Sequence, residues 1–245
     1  MKRSTAHPGG YLLQHWFEAG LELLFPMRCA GCGRARETWC QDCNRSLRLI
    51  TGHLCTQCGI PQKTHGVCRT CSKNPIPLKA RSYARYERPL NRALLQLKYR
   101  PNKILASVMA DWLRELYHQE NWNVDLVVPV PLGRNRSRQR GYNQAGLIAS
   151  ALAKLLDLPY CDRMLQRIRE TKSQVGLNPN DRKRNVRGAF QADRAIVHGK
   201  TILIVDDLFT TGATLSACAA SLLENGATEV CGLTICRAQS DRLTI

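Results

Sequence analysis

Two hydrophobic rhythms alternate through the later two thirds of the chain, and they predict strands and helices in turn. The clearest apolar run is Ile202 to Val205, within ILIVDDLFTTGATL (202–215). Unbroken β-branched and leucine residues read as a strand buried on both faces, as in a parallel sheet. This run stops at Asp206 and Asp207, passes a small hydroxyl-rich turn and enters an Ala/Leu pattern of helical spacing. That helix extends to about Asn225, where Gly226 stops it. Residues 124–130 form a second apolar strand leading into Pro129-Val130-Pro131, residues 229–235 form another, and residues 80–86 alternate weakly as a fourth. Helices are predicted over 89–99, with Pro89 suited to a first turn, over 102–118, and over 142–157. The last carries Leu147, Ile148, Ala151, Leu152 and Leu155 at helical spacing. Strands alternating with helices predict an α/β fold, a parallel sheet flanked by helices.

The first third follows neither rhythm. Residues 11–25 make a short amphipathic stretch ending at Pro26, whose Glu18 and Glu22 favour packing against a neighbouring module over a membrane surface. No segment is long and apolar enough to span a membrane, so no insertion is expected. Asn74-Pro75-Ile76-Pro77 interrupts regular structure and marks a boundary between residues 1–77 and 78–245. The first part is too small to build much core without help.

Cysteine supplies that help. Eight of the twelve cysteines fall into four Cys-x-x-Cys pairs: Cys29/Cys32, Cys40/Cys43, Cys55/Cys58 and Cys68/Cys71. Each pair presents two thiolates from one tight turn, and two pairs complete a tetrahedral S₄ site, so two structural zinc ions are expected. Disulfides or separate redox pairs are the competing readings. After Lys2 and Arg3 there is no long apolar segment or small-residue cleavage site of a secretory leader, which points to a reducing cytoplasm and against structural disulfides. Pairing in sequence order is the simpler arrangement, though the spacing allows interleaving. His53 and His65 are spare ligands that eight cysteines make unnecessary. Cys161, Cys218, Cys231 and Cys236 lie in apolar surroundings and read as small buried hydrophobes.

The net charge of +17 changes the picture of partners. It is shared between the halves, with 11 basic against 4 acidic residues up to position 79 and 25 against 15 beyond it. Such an excess favours polyanions and is silent on fold. Two clusters stand out: Arg134, Arg136, Arg138 and Arg140, and then residues 163–187 with eight Lys/Arg against two acids. Both are read as loops on one face of the α/β domain. A solvated charged face is the ordinary explanation; a bound pyrophosphate or nucleic acid is the functional one.

Strand, paired carboxylates, turn and helix is how an α/β protein seats a sugar phosphate at the carboxyl edge of its sheet. Thr210, Thr211, Gly212, Ala213 and Thr214 offer backbone N–H groups and hydroxyls at a helix start, which suits a phosphate. Asp206 and Asp207 can accept hydrogen bonds from a pair of ribose hydroxyls. The ordinary alternative is a pair of acids that only caps a helix.

This stretch resembles the phosphoribosyl pyrophosphate signature of type I phosphoribosyltransferases, with Leu208 and Phe209 bulkier than that pattern favours. Over residues 24–237 the chain resembles the ComF/GntX family. Pro129-Val130-Pro131 with Arg140-Gly141-Tyr142-Asn143-Gln144, then Thr171, Gln174, Leu177, Arg182, Asn185, Ala189 and Phe190, and the 206–214 motif carry the likeness. It implies a double zinc ribbon joined to a type I phosphoribosyltransferase domain. It further implies phosphoribosyl pyrophosphate bound with magnesium, the acids on the ribose and the turn on the 5′-phosphate. Val130, Pro131 and Leu132 would face the pyrophosphate, with Arg134, Arg169 or Lys172 closing over it. The family is associated with natural competence, so single-stranded DNA, contacted by Arg136, Arg138 and Arg140, and a competence helicase are the implied partners. An active phosphoribosyltransferase of nucleotide salvage, with an acceptor the residues do not name, is the alternative.

Overall fold

The computed structural model describes residues 27–169, 185–186 and 188–238. The 11–25 stretch, Thr171, Lys172, Gln174, Leu177 and Arg182 lie outside these residues. In chain order, α1 (Gln41–Arg45) and α2 (Arg69–Lys73) belong to the cysteine module. There follow β1 (Lys79–Arg85), α3 (Leu90–Tyr99), α4 (Lys103–Gln119), β2 (Leu126–Pro129), α5 (Arg134–Arg140) and α6 (Gln144–Leu155). The series ends with β3 (Leu165–Arg167), β4 (Phe190–Ala192), α7 (Arg194–Val197), β5 (Thr201–Phe209), α8 (Ala213–Glu224) and β6 (Glu229–Arg237).

Four strands form a parallel sheet in the order β1-β6-β5-β2, while β3 and β4 pair separately as an antiparallel ribbon. The apolar run in β5 is continuous because both faces of the sheet are covered. Leu203 and Val205 join a core with Leu94 and Leu97 of α3, Met109 and Leu113 of α4, and Ile148 and Leu152 of α6. Ile202 and Ile204 join the opposite core with Leu215, Cys218 and Leu222 of α8. Cys218, Cys231 and Cys236 are buried, as their apolar neighbours imply, while Cys161 is half-buried. Among the described residues no helix is long and apolar enough to cross a membrane.

Three local expectations are corrected. β5 does not stop at the two acids: it continues to Phe209 because β6 still pairs with it, Leu208 opposite Cys236 and Phe209 opposite Arg237. β2, however, ends at Pro129 opposite Val205. Asp206 and Asp207 are therefore the first β5 residues with no strand beside them on that side. The first arginine cluster is not a loop but the helix α5, closed by Gly141 in the left-handed conformation. From the second, Leu165–Arg167 form the strand β3, which pairs with β4 just beyond the cluster.

The cysteine module is built onto β1 and α4. The Ala80 N–H donates to the Gln57 carbonyl at 2.6 Å and the Ile50 N–H to the Tyr83 carbonyl at 2.9 Å. Arg81, buried between the two parts, pairs with Glu120 at 2.6 Å and donates to the Cys55 carbonyl at 3.3 Å. Trp39 meets Trp112 edge-on at 5.3 Å, and Tyr83 stacks on the same indole at 5.4 Å. Aromatic pairs of this kind contribute about 0.5–1.5 kcal/mol each beyond burial.

Candidate functional site

The eight cysteines resolve into two clusters, Cys29/Cys32/Cys40/Cys43 and Cys55/Cys58/Cys68/Cys71, with the sulfurs of each within 4.8 Å of one another. Pairing is thus in sequence order. A tetrahedral Zn²⁺ with sulfurs at about 2.3 Å needs them about 3.8 Å apart. Cys29–Cys43 and Cys32–Cys40 are at 3.6 Å and Cys58–Cys68 at 3.8 Å, a fit to zinc and well outside the ~2.05 Å of a disulfide. Backbone donors complete each knuckle: the Cys40 N–H points to Cys29 Sγ at 3.4 Å and the Cys68 N–H to Cys55 Sγ at 3.3 Å. Burial raises the Cys43, Cys58 and Cys71 thiols. It alone would raise Cys29 and Cys55, but N–H donors from Cys32 and Cys40, and from Cys68 and Cys58, bring these two down to about 6. Each ribbon thus offers a ready thiolate, and the metal must displace protons from the three raised thiols. Thiolates are what a metal requires. His53 and His65 pack against each other at 4.1 Å and belong to neither cluster.

At the carboxyl edge of the sheet lies a cavity of about 470 Å³. Asp206, Asp207 and Leu208 of β5 form its floor, with Thr210 and Thr214 at the start of α8 and Val130, Pro131 and Leu132 from the segment after β2. Gly212, in the left-handed conformation, turns the chain into α8. Thr211 takes up the Ala213 N–H on its hydroxyl at 3.4 Å, so Thr211, Gly212 and Ala213 shape the turn behind the lining residues. The positive end of a twelve-residue helix thus meets the cavity.

Asp207 donates its N–H to Asp206 Oδ1 at 2.9 Å. Burial, and then the charge of Asp207, hold the Asp206 carboxyl well above the usual carboxylate range. Gln144, itself buried, donates to Asp207 Oδ2 at 3.5 Å and accepts from Arg140 Nη1 at 3.0 Å. Asn143 caps α6 by accepting the Ala145 N–H at 3.1 Å, and its amide donates to the Val130 carbonyl at 3.0 Å. One residue thereby sets the helix start and the segment facing the acids.

Sequence reasoning distributed the cations differently. Arg136 and Arg140, read as DNA contacts, are half-buried and line the cavity. Arg134, read as a pyrophosphate contact, begins α5 and is exposed like Arg138, and neither lines the cavity. Arg169 is also exposed outside the lining, donating to the Asn185 carbonyl at 3.1 Å. Lys172 lies outside the described residues. Lys98, Tyr99 and Arg167 complete the lining; the sequence reading gave Lys98 and Tyr99 no role and met Arg167 only as a member of the second basic cluster. Four cations thus surround two carboxylates.

A parallel α/β sheet with this edge site, joined to two S₄ knuckles, defines a phosphoribosyltransferase-type protein with a double zinc ribbon. Residues 20–72 match the double zinc ribbon domain and residues 96–245 the phosphoribosyl transferase domain. The chain belongs to the ComF/GntX family. It is similar to the "DNA utilization protein YhgH" of Escherichia coli, with 34% identity over 205 residues, 81% of this chain and 89% of the relative. It is similar also to the "Competence protein ComFC" of Bacillus subtilis, at 32% over 214 residues covering 82% and 85% of the two chains. The "Competence protein F" of Haemophilus influenzae shares 27% over 219 residues, 84% and 95% of the respective chains.

Proposed function

We propose that the chain acts in natural competence and the use of external DNA, binding phosphoribosyl pyrophosphate with magnesium at the sheet edge and single-stranded DNA at the adjoining surface. The observation that carries the first part is the convergence of two adjacent carboxylates, a helix-start turn and four cations in one cavity of about 470 Å³. Asp206 and Asp207 accept from the ribose hydroxyls. The 210–214 turn takes the 5′-phosphate. Residues 130–132 face the pyrophosphate, whose charge Lys98, Arg136, Arg140 and Arg167 neutralise. Asp206 and Asp207 would hold a magnesium ion through water, and the ion would supply positive charge to screen the pyrophosphate.

DNA utilisation and competence, in the names of the relatives, are the grounds for the second part. Tyr99 at the cavity rim is 71% exposed with the Arg140 guanidinium 6.0 Å from its ring centre, a surface on which a base stacks. Arg134 and Arg138 continue the positive surface along the solvent side of α5.

Calorimetric titration with phosphoribosyl pyrophosphate and magnesium should show saturable binding that Asp206→Asn with Asp207→Asn abolishes. Wild-type protein that takes up none removes the pocket assignment. Release of inorganic pyrophosphate in the same samples, with candidate nucleobases added, would mark a transferase rather than a binding protein. For DNA, anisotropy with a labelled oligothymidylate should give affinity that falls steeply with salt, because phosphate contacts release counterions. Charge reversal at Arg134 and Arg138, which lie outside the cavity lining, should weaken it for every sequence alike. No binding at low salt sinks the DNA part.

A further inference from the structure

One buried cation joins the second zinc knuckle to the phosphate turn. Arg237, at the end of β6, is 9% exposed. Its Nη2 donates to the Cys58 carbonyl inside the knuckle. The same guanidinium lies 3.9 Å from the ring centre of Phe209, its cross-strand neighbour. Phe209 is 3% exposed and supports Gly212 from below, so closely that a Cβ on Gly212 would stand 2.6 Å from the ring. Knuckle, guanidinium, ring and turn therefore form a continuous stack. The first zinc knuckle has no such connection among the described contacts; it reaches the domain through Trp39 on Trp112 and Arg92 on the Gly31 carbonyl.

A buried guanidinium needs opposing charge as well as hydrogen bonds. Four thiolates on Zn²⁺ carry a net charge of about −2 and lie beside it. The Phe209 face supplies a second attraction. Filled, the knuckle fixes the Cys58 carbonyl, and through it the plane of the guanidinium and the ring. Empty, it leaves that carbonyl without a fixed position.

We infer that Arg237 is a positioning residue through which the second zinc cluster, and not the first, sets the shape of the 209–214 turn. The inference rests on the reading of that turn as the 5′-phosphate site for its functional meaning, though not for its test.

The test combines zinc release to a chromophoric chelator with hydrogen exchange of the amides of 209–216. Arg237→Met, which keeps bulk and loses charge, should release one of its two zinc ions about 10- to 100-fold faster, the usual cost of removing an outer partner. Exchange across 209–216 should quicken in the same protein. Arg237→Lys should restore much of the zinc retention but not the protection of the turn, because an ammonium lacks the planar face that stacks on Phe209. Cys58→Ser should loosen the turn, whereas Cys32→Ser, in the first cluster, should leave its exchange as in the wild type. If Arg237→Met does not fold, the lysine variant and the two serine variants decide. Wild-type zinc retention and exchange in Arg237→Met, or equal loosening by the two serine variants, overturns the inference. Failure of the wild type to bind phosphoribosyl pyrophosphate would refute the pocket assignment alone, since neither readout here uses that ligand.

Discussion

Replacing Gly212 with alanine separates two costs that the turn before α8 combines. Gly212 sits at φ +76°. An L-residue held in this left-handed region loses about 1–2 kcal/mol. The new Cβ would also meet Phe209 Cζ at 2.6 Å, with two further ring carbons at 3.2 and 3.3 Å. The ring has little room to retreat, being buried with the Arg237 guanidinium 3.9 Å from its centre. Overpacking of this kind costs about 1–3 kcal/mol. Together the terms destabilise by about 2–5 kcal/mol, a fall in melting temperature of roughly 4–20 °C for a chain of this size. Gly199 provides the control: its φ is +73°, yet nothing lies within 4 Å of a Cβ built there. Gly199→Ala should therefore show only the backbone cost of about 1–2 kcal/mol. Thermal unfolding of both variants measures the difference, and titration with phosphoribosyl pyrophosphate should show loss of affinity for Gly212→Ala alone. Equal melting shifts would mean that Phe209 gives way freely and does not support the turn.

Other substitutions probe the acids and the metal. Burial and the Asp207 charge raise the Asp206 carboxyl, so the folded state holds its proton more tightly than the unfolded chain. That preference costs stability as pH rises from the unfolded value near ~4 through the raised folded value. Asp206→Asn should then stabilise the ligand-free protein at neutral pH by on the order of 1 kcal/mol while abolishing ligand binding. The gain should vanish below about pH 4, where both states are protonated; a gain that persists there would show that charge is not its source. Elemental analysis should find two zinc ions per chain. Stripping them should shift tryptophan emission as Trp39 leaves Trp112. Unchanged emission after complete zinc loss would contradict the metal-dependent junction.

The strands and long helices were legible because their burial is simple. β5 reads as one apolar run since Ile202 and Ile204 enter one core and Leu203 and Val205 the other. α6 announces itself by Ile148 and Leu152, four residues apart on one buried face. α5 was not legible, because RNRSRQR contains no apolar residue and buries none. Its arginines recur every second position, which in a strand would put all four on one face and in a loop implies none. On a helix, steps of two residues fall on nearly opposite sides, while steps of four coincide. Arg136 and Arg140 therefore share the cavity face, and Arg134 and Arg138 the solvent face. Gly141, a helix-ending glycine after that run, was the signal that could have revealed the helix. The three-residue strands β3 and β4 are too short to show a period. Lys98 and Tyr99 reach the cavity only because α3 ends at its rim, a tertiary fact with no local pattern.

The position of β6 between β1 and β5 has a consequence for how the molecule assembles. The sheet's central neighbour is the latest strand in the sequence, so β1 finds no partner in the sheet until residues 229–237 have been made. Pairing across about 150 residues is a slow, non-local step. The knuckles are not subject to that delay, because each closes within its own short span, Cys29 to Cys43 or Cys55 to Cys71, as soon as metal is present. During synthesis the zinc ribbons are thus the early folded part, holding ready the Cys58 carbonyl that Arg237 meets only when the last strand slides into place. The metal sites serve as a landing surface for the closing strand, and assembly of the ligand cavity waits on that same event.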